Sequence, residues 1–242
     1  MKKRIISLIL CAVFVCGAFI PQGAAWADTA GPEITAQAAI IYCADTGEVI
    51  WEKNADQQME PASMTKLLTC LLAVENLDLD HVVTVPEEAT EVIPTKIYLQ
   101  AGEQITVEEL LYAALLYSAN DAAAALAIET AGSIEAFSEM MNERAEEIGC
   151  TATNFVNPHG LSEEGQLSTA ADMALIAEEA LDNETVREIS GTVEHTIPAT
   201  NVSGERELNN FNVFLYGKEI EINGTKTTID KYDGVFGGKT GS

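Results

Sequence analysis

Apolar positions recur along this chain in three rhythms. The first is a nearly unbroken run from Ile5 to Ile20, behind Met1-Lys2-Lys3-Arg4 and ahead of the small-x-small triplet Ala25-Trp26-Ala27. A basic start, an apolar stretch and a small-residue site together predict an export signal over residues 1–27, cut after Ala27. The competing reading of the same run is an uncleaved N-terminal anchor helix. Leu10 and Val15 precede Cys11 and Cys16, where a lipid-bearing cysteine wants a small residue, so lipidation is not expected.

The second rhythm is short and β-branched. After a loose leader over 28–37, Ala38 to Cys43 and Val49-Ile50-Trp51 flank the turn chemistry of Ala44-Asp45-Thr46-Gly47, which predicts a β-hairpin. The third rhythm is helical. Pro61 opens a helix through Leu67, Leu68, Leu71, Leu72 and Val74 that is apolar on nearly every face, hence buried. Residues 82–105 read as short strands and loops around Pro86 and Pro94. Thr106-Val107-Glu108-Glu109 is a capping box for a helix to about Tyr117. An Ala-rich helix runs from Asp121 to near Gly132, and Ser133 caps another that stops at Gly149. Thr169-Ala170-Ala171-Asp172 opens one more, ending near Asp182. Then the period changes, and 192–199, 210–216, 218–223, 225–229 and 235–240, short, β-branched and turn-punctuated, read as strands. Strands, helices and strands again predict an α+β domain over 28–242, with an α/β part from 28–85 and 191–242 and a mostly helical insertion at 86–190.

Composition narrows the function classes. The chain has 242 residues, 47% hydrophobic and 21% charged, enough to bury a real core and unlike a disordered acidic tail. Its net charge of −25 argues against nucleic acid as a partner. Losing residues 1–27 would remove basic residues and no acid, and the common meaning of such an excess is solubility. One long apolar stretch excludes a polytopic membrane protein. Cys43, Cys70 and Cys150 are too sparse for a disulfide framework, and Cys43 and Cys70 sit in apolar runs as core residues. The histidines are far apart and no HExxH occurs, so neither a metal nor another cofactor is expected.

Three short elements carry chemistry. Ser63-Met64-Thr65-Lys66 puts a hydroxyl and an amine one helical turn apart at the start of the buried helix. A serine needs a base before it attacks, and a desolvated lysine can be one. The bland alternative is an N-cap serine with a solvated lysine, but the run Leu-Leu-Thr-Cys-Leu-Leu after Lys66 buries its surroundings. Ser118-Ala119-Asn120 offers a proton-relaying hydroxyl and an orienting amide, or simply an interhelical turn. Gly238-Lys239-Thr240-Gly241 offers a cation, a hydroxyl and close backbone approach, or simply a glycine-rich turn.

Together and in this order, SxxK, SxN and KTG are the signature of penicillin-binding proteins and class A β-lactamases. The chain resembles the D-alanyl-D-alanine carboxypeptidases of the S11 peptidase type, from about Ala38 to Ser242. Pro61 to Lys66, Leu99 to Val107, Tyr117 to Ala122 and Asn157-Pro158-His159-Gly160-Leu161 all look like segments of that family. The resemblance implies the serine β-lactamase/DD-transpeptidase fold, an antiparallel sheet packed by helices. It implies Ser63 as nucleophile and acyl-ester site, Lys66 as general base, Ser118 as proton relay and Asn120 as orienting amide. Lys239, Thr240 and Gly241 would bind the substrate carboxylate and backbone, and the N–H groups of Ser63 and Ser242 would form the oxyanion hole. Peptidoglycan stem peptides are the implied substrate, β-lactams the implied covalent inhibitors, and the cell envelope the implied location.

Two alternatives stay open. Glu205-Arg206-Glu207-Leu208-Asn209 mimics the deacylating loop of the lactamases, yet it lies nearer Lys239 than Ser118, the reverse of their order. A catalytically weak, penicillin- or wall-binding relative is the other. Phe236 stands where the family often has Asp, and Ser242 where many members carry His, Tyr or Phe. The chain also stops one residue past Gly241, where family members continue. The resemblance therefore implies a truncated catalytic domain, with any membrane association left to a missing C-terminal segment.

Overall fold

Lys66 to Ala73 are all buried, so the helix they form has no solvent face. It is the centre of the molecule, which a computed structural model describes over residues 31–222 and 225–241. The export signal expected at 1–27 and the oxyanion-hole residue Ser242 lie outside the described residues. Ala36–Ser242 form one compact unit, and of the unit Met1–Thr35 only an irregular stretch from Gly31 is described.

Strands β1 (Ala39–Cys43) and β2 (Glu48–Lys53) pair antiparallel across the expected turn. A 3₁₀ turn, Ala62–Thr65, leads into α1 (Lys66–Asn76), so the helix expected from Pro61 is split at the lysine. Strand β3 (Val82–Thr84), the short α2 (Glu87–Thr90) and β4 (Gln104–Thr106) follow, with β3 and β4 paired antiparallel. Then come α3 (Val107–Leu116), α4 (Asn120–Ala131) and α5 (Ile134–Ile148). A long loop brings the chain to α6 (Ala170–Asp182) and α7 (Glu184–Gly191). The expected caps form: Thr106, Ser133 and Thr169 side chains accept from the N–H groups of Glu109, Ala136 and Asp172.

Small side chains let the helices close on one another. Ala122 to Ala125 and Ala127 of α4 are all buried, and α4 packs on α1, α3 and α5. Leu68, Leu110, Leu111, Leu115, Leu116, Leu126, Phe137 and Ile176 fill the space between, each fully buried. Burial of such a side chain contributes about 1.5–3 kcal/mol, so this cluster dominates stability. Cys70 is buried as expected, but Cys43 is only half-buried at the end of β1, and Cys43, Cys70 and Cys150 are free thiols.

The α+β reading holds, with antiparallel pairing throughout, but the ladder is divided into four two-stranded sheets among the described residues. Strand β5 (Glu194–Ile197) pairs with β6 (Arg206–Asn209), and β7 (Lys218–Ile222) with β8 (Thr225–Ile229). Two expected strands are absent. Residues 213–215 form a 3₁₀ turn within the predicted strand 210–216, because Asn210 and Asn212 side chains take the local backbone groups that a ladder would need. Residues 235–240 run without a ladder partner among the described residues, interrupted by Gly237 and by Gly238 at φ +111°. Among the ion pairs that join distant parts, Arg206 makes a bidentate contact with the fully buried Glu103 carboxylate at 2.7 and 2.9 Å. No helix among the described residues is long and apolar enough to cross a membrane.

Candidate active site

The turn that carries Ser63 is bent before the helix begins. Ala62 sits at φ +49°, a left-handed conformation that costs a residue with a side chain about 1–2 kcal/mol. Gly160 holds that bend from outside: a Cβ there would stand 1.8 Å from the Ala62 carbonyl oxygen, so only glycine fits. Ser63 is half-buried, and Lys66, at the first position of α1, is 0% exposed. Its Nζ donates to Ser63 Oγ at 3.1 Å, to Asn120 Oδ1 at 2.8 Å and to the His159 carbonyl at 2.6 Å. Burial, reinforced by the nearby Lys239 charge, pushes the amine down from 10.5 to about 7. An amine that is half neutral at neutral pH, hydrogen-bonded to a serine hydroxyl, can take that hydroxyl's proton.

Asn120 reaches Lys66 because its own backbone is pinned. Its N–H donates to the Thr95 carbonyl at 2.7 Å, and its Nδ2 donates to the Ile93 carbonyl at 2.9 Å. With Nδ2 committed to a carbonyl, Oδ1 must face the lysine. The neighbouring Asp121 carboxylate, buried, accepts from the N–H groups of Ile97 and Leu99 and so fastens the same 93–99 loop. Ser118, two residues before Asn120, is held at φ +63°. Its hydroxyl has no hydrogen-bond partner among the described residues.

The Lys239-Thr240-Gly241 segment is seated by side chains rather than by a ladder. Gly238 N–H donates to Ser190 Oγ at 3.3 Å, and Asn212 Nδ2 donates to the Gly237 carbonyl at 3.2 Å. Gly241 lies against the nucleophile turn, where a Cβ would meet Met64 Cγ at 3.4 Å and Ala62 Cβ at 3.5 Å. Lys239 Nζ donates to the Thr240 carbonyl at 2.7 Å, and burial lowers this amine from 10.5 to about 8. Thr240 is half-buried beside it.

The structure thus gathers Ser63, Lys66 and Asn120 by hydrogen bonds, Lys239 by its field on Lys66, and Gly241 by contact with the Ser63 turn. It leaves Glu205 and Glu207 exposed to solvent, away from these bonds. Phe236 is exposed too, and its carbonyl lies where a Cβ on Gly191 would be 2.3 Å away. The residues that motif reading left without a role are those of the 157–166 loop. His159 supplies a carbonyl, and its imidazole is held neutral, down to about 4, by burial and the Lys66 charge. Asn-Pro-His-Gly is turn chemistry, so a sharp turn was readable there, but its target was not.

A family model described as D-alanyl-D-alanine carboxypeptidase, Peptidase_S11, matches residues 25–234. The chain is 36% identical over 247 residues to D-alanyl-D-alanine carboxypeptidase DacF of Bacillus subtilis, covering 99% of this chain and 59% of that protein. It is 33% identical to DacC of Escherichia coli, covering 81% of this chain and 50% of that one. The chain therefore spans little more than half the length of these curated relatives. Among solved structures, a variant of a Streptomyces DD-transpeptidase superposes with a TM-score of 0.76 at 28% identity, over 88% of this chain and 82% of that one.

Proposed function

Because the chain belongs to the S11 peptidase family of D-alanyl-D-alanine carboxypeptidases, we propose that it removes the terminal D-alanine from peptidoglycan stem peptides through a serine acyl-enzyme. The observation that carries this reading is the buried amine of Lys66, brought down to about 7, at 3.1 Å from Ser63 Oγ. Neutral Lys66 takes the Ser63 proton as Oγ attacks the carbonyl of the penultimate D-alanine. Ser118 passes that proton to the departing amine, and the C–N bond breaks. Asn120 keeps Lys66 in register. Lys239 and Thr240 receive the terminal carboxylate, with Gly241 leaving room for the substrate backbone. The family resemblance assigns the oxyanion hole to the N–H groups of Ser63 and Ser242, of which Ser242 lies outside the described residues. Water then opens the ester and restores Ser63.

At a net charge of −25 the chain as a whole repels an anionic peptide, so the Lys239 cation must reverse the field locally. β-Lactams enter as covalent inhibitors that acylate Ser63 and leave slowly. The work is extracytoplasmic, at the cell envelope, reached through the signal at 1–27. The catalytic domain divides into an α/β part, 28–85 with 191–242, and the helical 86–190 insertion.

The test is labelling with a fluorescent penicillin alongside D-alanine release from a diacetyl-Lys-D-Ala-D-Ala peptide. Labelling and D-alanine release are expected, and Ser63→Ala abolishes both. Rapid, sustained penicillin hydrolysis without D-alanine release would make the protein a lactamase, and persistent labelling of Ser63→Ala would remove Ser63 as nucleophile.

A further inference from the structure

We propose that Thr69 is a positioning residue for the lysine base, acting through the 157–160 turn. The inference rests on reading Lys66 as the base. The partners of Lys66 Nζ are not equivalent. Asn120 Oδ1 and the His159 carbonyl can only accept, whereas Ser63 Oγ can accept or donate. A lysine ammonium has three N–H bonds and satisfies all three partners. A neutral amine has two N–H bonds and one lone pair. If both obligate acceptors keep their N–H, the lone pair is left facing the Ser63 hydroxyl, which then donates its proton along the line of transfer. If the His159 carbonyl turns away, an N–H is free to swing onto Ser63 Oγ, and the serine proton loses its acceptor. The carbonyl therefore sets the direction of the base.

What fixes that carbonyl is one turn further along α1. Thr69 Oγ1 donates to the Pro158 carbonyl at 2.6 Å, so Lys66 and Thr69 grip adjacent carbonyls of the same turn. The Thr65 carbonyl, 3.4 Å from the same hydroxyl, is the weaker acceptor. Thr69 is fully buried, as is Gln166, whose amide bridges the loop back to the 3₁₀ turn that precedes α1. Gln166 Oε1 accepts from Val156 N–H at 2.7 Å, and Nε2 donates to Thr65 Oγ1 at 3.2 Å. Asn157 closes the turn on itself, its Oδ1 accepting from Gly160 N–H at 2.8 Å.

The experiment compares wild type, Thr69→Val and Thr69→Ser. Valine keeps the shape and removes the donor; serine keeps the donor. The readouts are the rate of acylation by a fluorescent penicillin as a function of pH, and the thermal melt. In the wild type the rate rises with pH to a plateau above about 7, where burial leaves the Lys66 amine neutral. Thr69→Val is expected to lower the plateau roughly tenfold or more. It also moves the midpoint to lower pH, because an ammonium that has lost an acceptor gives up its proton more readily. Thr69→Ser restores both. A wild-type plateau and midpoint in Thr69→Val would overturn the inference. A lower plateau at an unchanged midpoint would overturn it too, since general loosening of the fold does that. Should Thr69→Val lack a cooperative melt, Asn157→Ala releases the same turn from its other side and is judged by the same two readouts. Failure of wild type to label at all counts against the proposed function; normal labelling that is indifferent to Thr69 counts only against this inference.

Discussion

Replacing Lys66 by methionine separates the lysine's charge from its volume. Burial and the Lys239 charge bring this amine from 10.5 to about 7. At 1.36 kcal/mol per unit, that is a bias of roughly 5 kcal/mol toward the neutral form. The side chain is 0% exposed, so solvent does not dilute it. The unfolded chain holds the proton up to about 10.5, whereas the folded chain releases it at about 7. Between those values the unfolded state binds more protons, and the stability contributed at this position rises by about 1.4 kcal/mol per pH unit. Below about 7 both states are protonated, and the full penalty of a buried ammonium is present. Methionine has no such titration. The stability of wild type relative to Lys66→Met should therefore grow by roughly 2–3 kcal/mol from about pH 7 to about pH 9. Loss of the donor to Asn120 Oδ1 and the His159 carbonyl adds an offset of about 1–3 kcal/mol each, independent of pH. Urea unfolding of both proteins across that range measures the difference, and penicillin labelling of the variant should fall by about a thousandfold. A stability difference that stays flat over the range would mean that Lys66 keeps its proton in the folded state, and the general-base assignment would go with it.

Lys239→Gln removes the cation that repels the Lys66 ammonium. The midpoint of the pH–acylation profile should move upward, by less than burial alone accounts for, while D-alanine release weakens mainly through poorer substrate binding; a downward or unmoved midpoint contradicts the coupling. Gly160→Ala forces a methyl against the Ala62 carbonyl at a residue already at φ +82°. It should cost about 1–3 kcal/mol or more and slow labelling, as the Ser63 turn is pushed aside; a melt and labelling rate like those of wild type would mean that the turn is not braced there.

Where a structural signal is local, the sequence carried it. Thr106, Ser133 and Thr169 announce helix starts, and each cap bond forms within its own first turn. The helix α7 escaped notice because Asn183-Glu184-Thr185-Val186 has a good cap but only Val186 and Ile189 as apolar anchors, too few to set a period. The strand expected at 210–216 failed for a different reason: its apolar content was real, but asparagine side chains outcompeted the ladder. Within the site, Ser63 and Lys66 were readable as a helical pair, because one turn of helix fixes their distance. Asn120 was readable as an orienting amide or as a turn residue, and local spacing could not choose, since its approach to Lys66 depends on the 93–99 loop. The His159 carbonyl was not readable at all. A backbone acceptor has no residue identity, and any residue at 159 could supply it.

The partners of Lys66 also set the moment at which the site switches on during folding. Ser63 and Lys66 stand side by side as soon as the 3₁₀ turn Ala62–Thr65 and the first turn of α1 form. A lysine in water, however, keeps its proton to about 10.5 and activates nothing. Neutrality needs the amine enclosed, and its acceptors arrive from 54 and 93 residues further along the chain. Loops that long close late, after local helices have formed. A nascent or partly folded chain is therefore chemically silent, however complete its serine helix. The rate of penicillin labelling after dilution from denaturant then reports the last long-range closure rather than the first helix, which makes the nucleophile a clock for the folding of the whole domain.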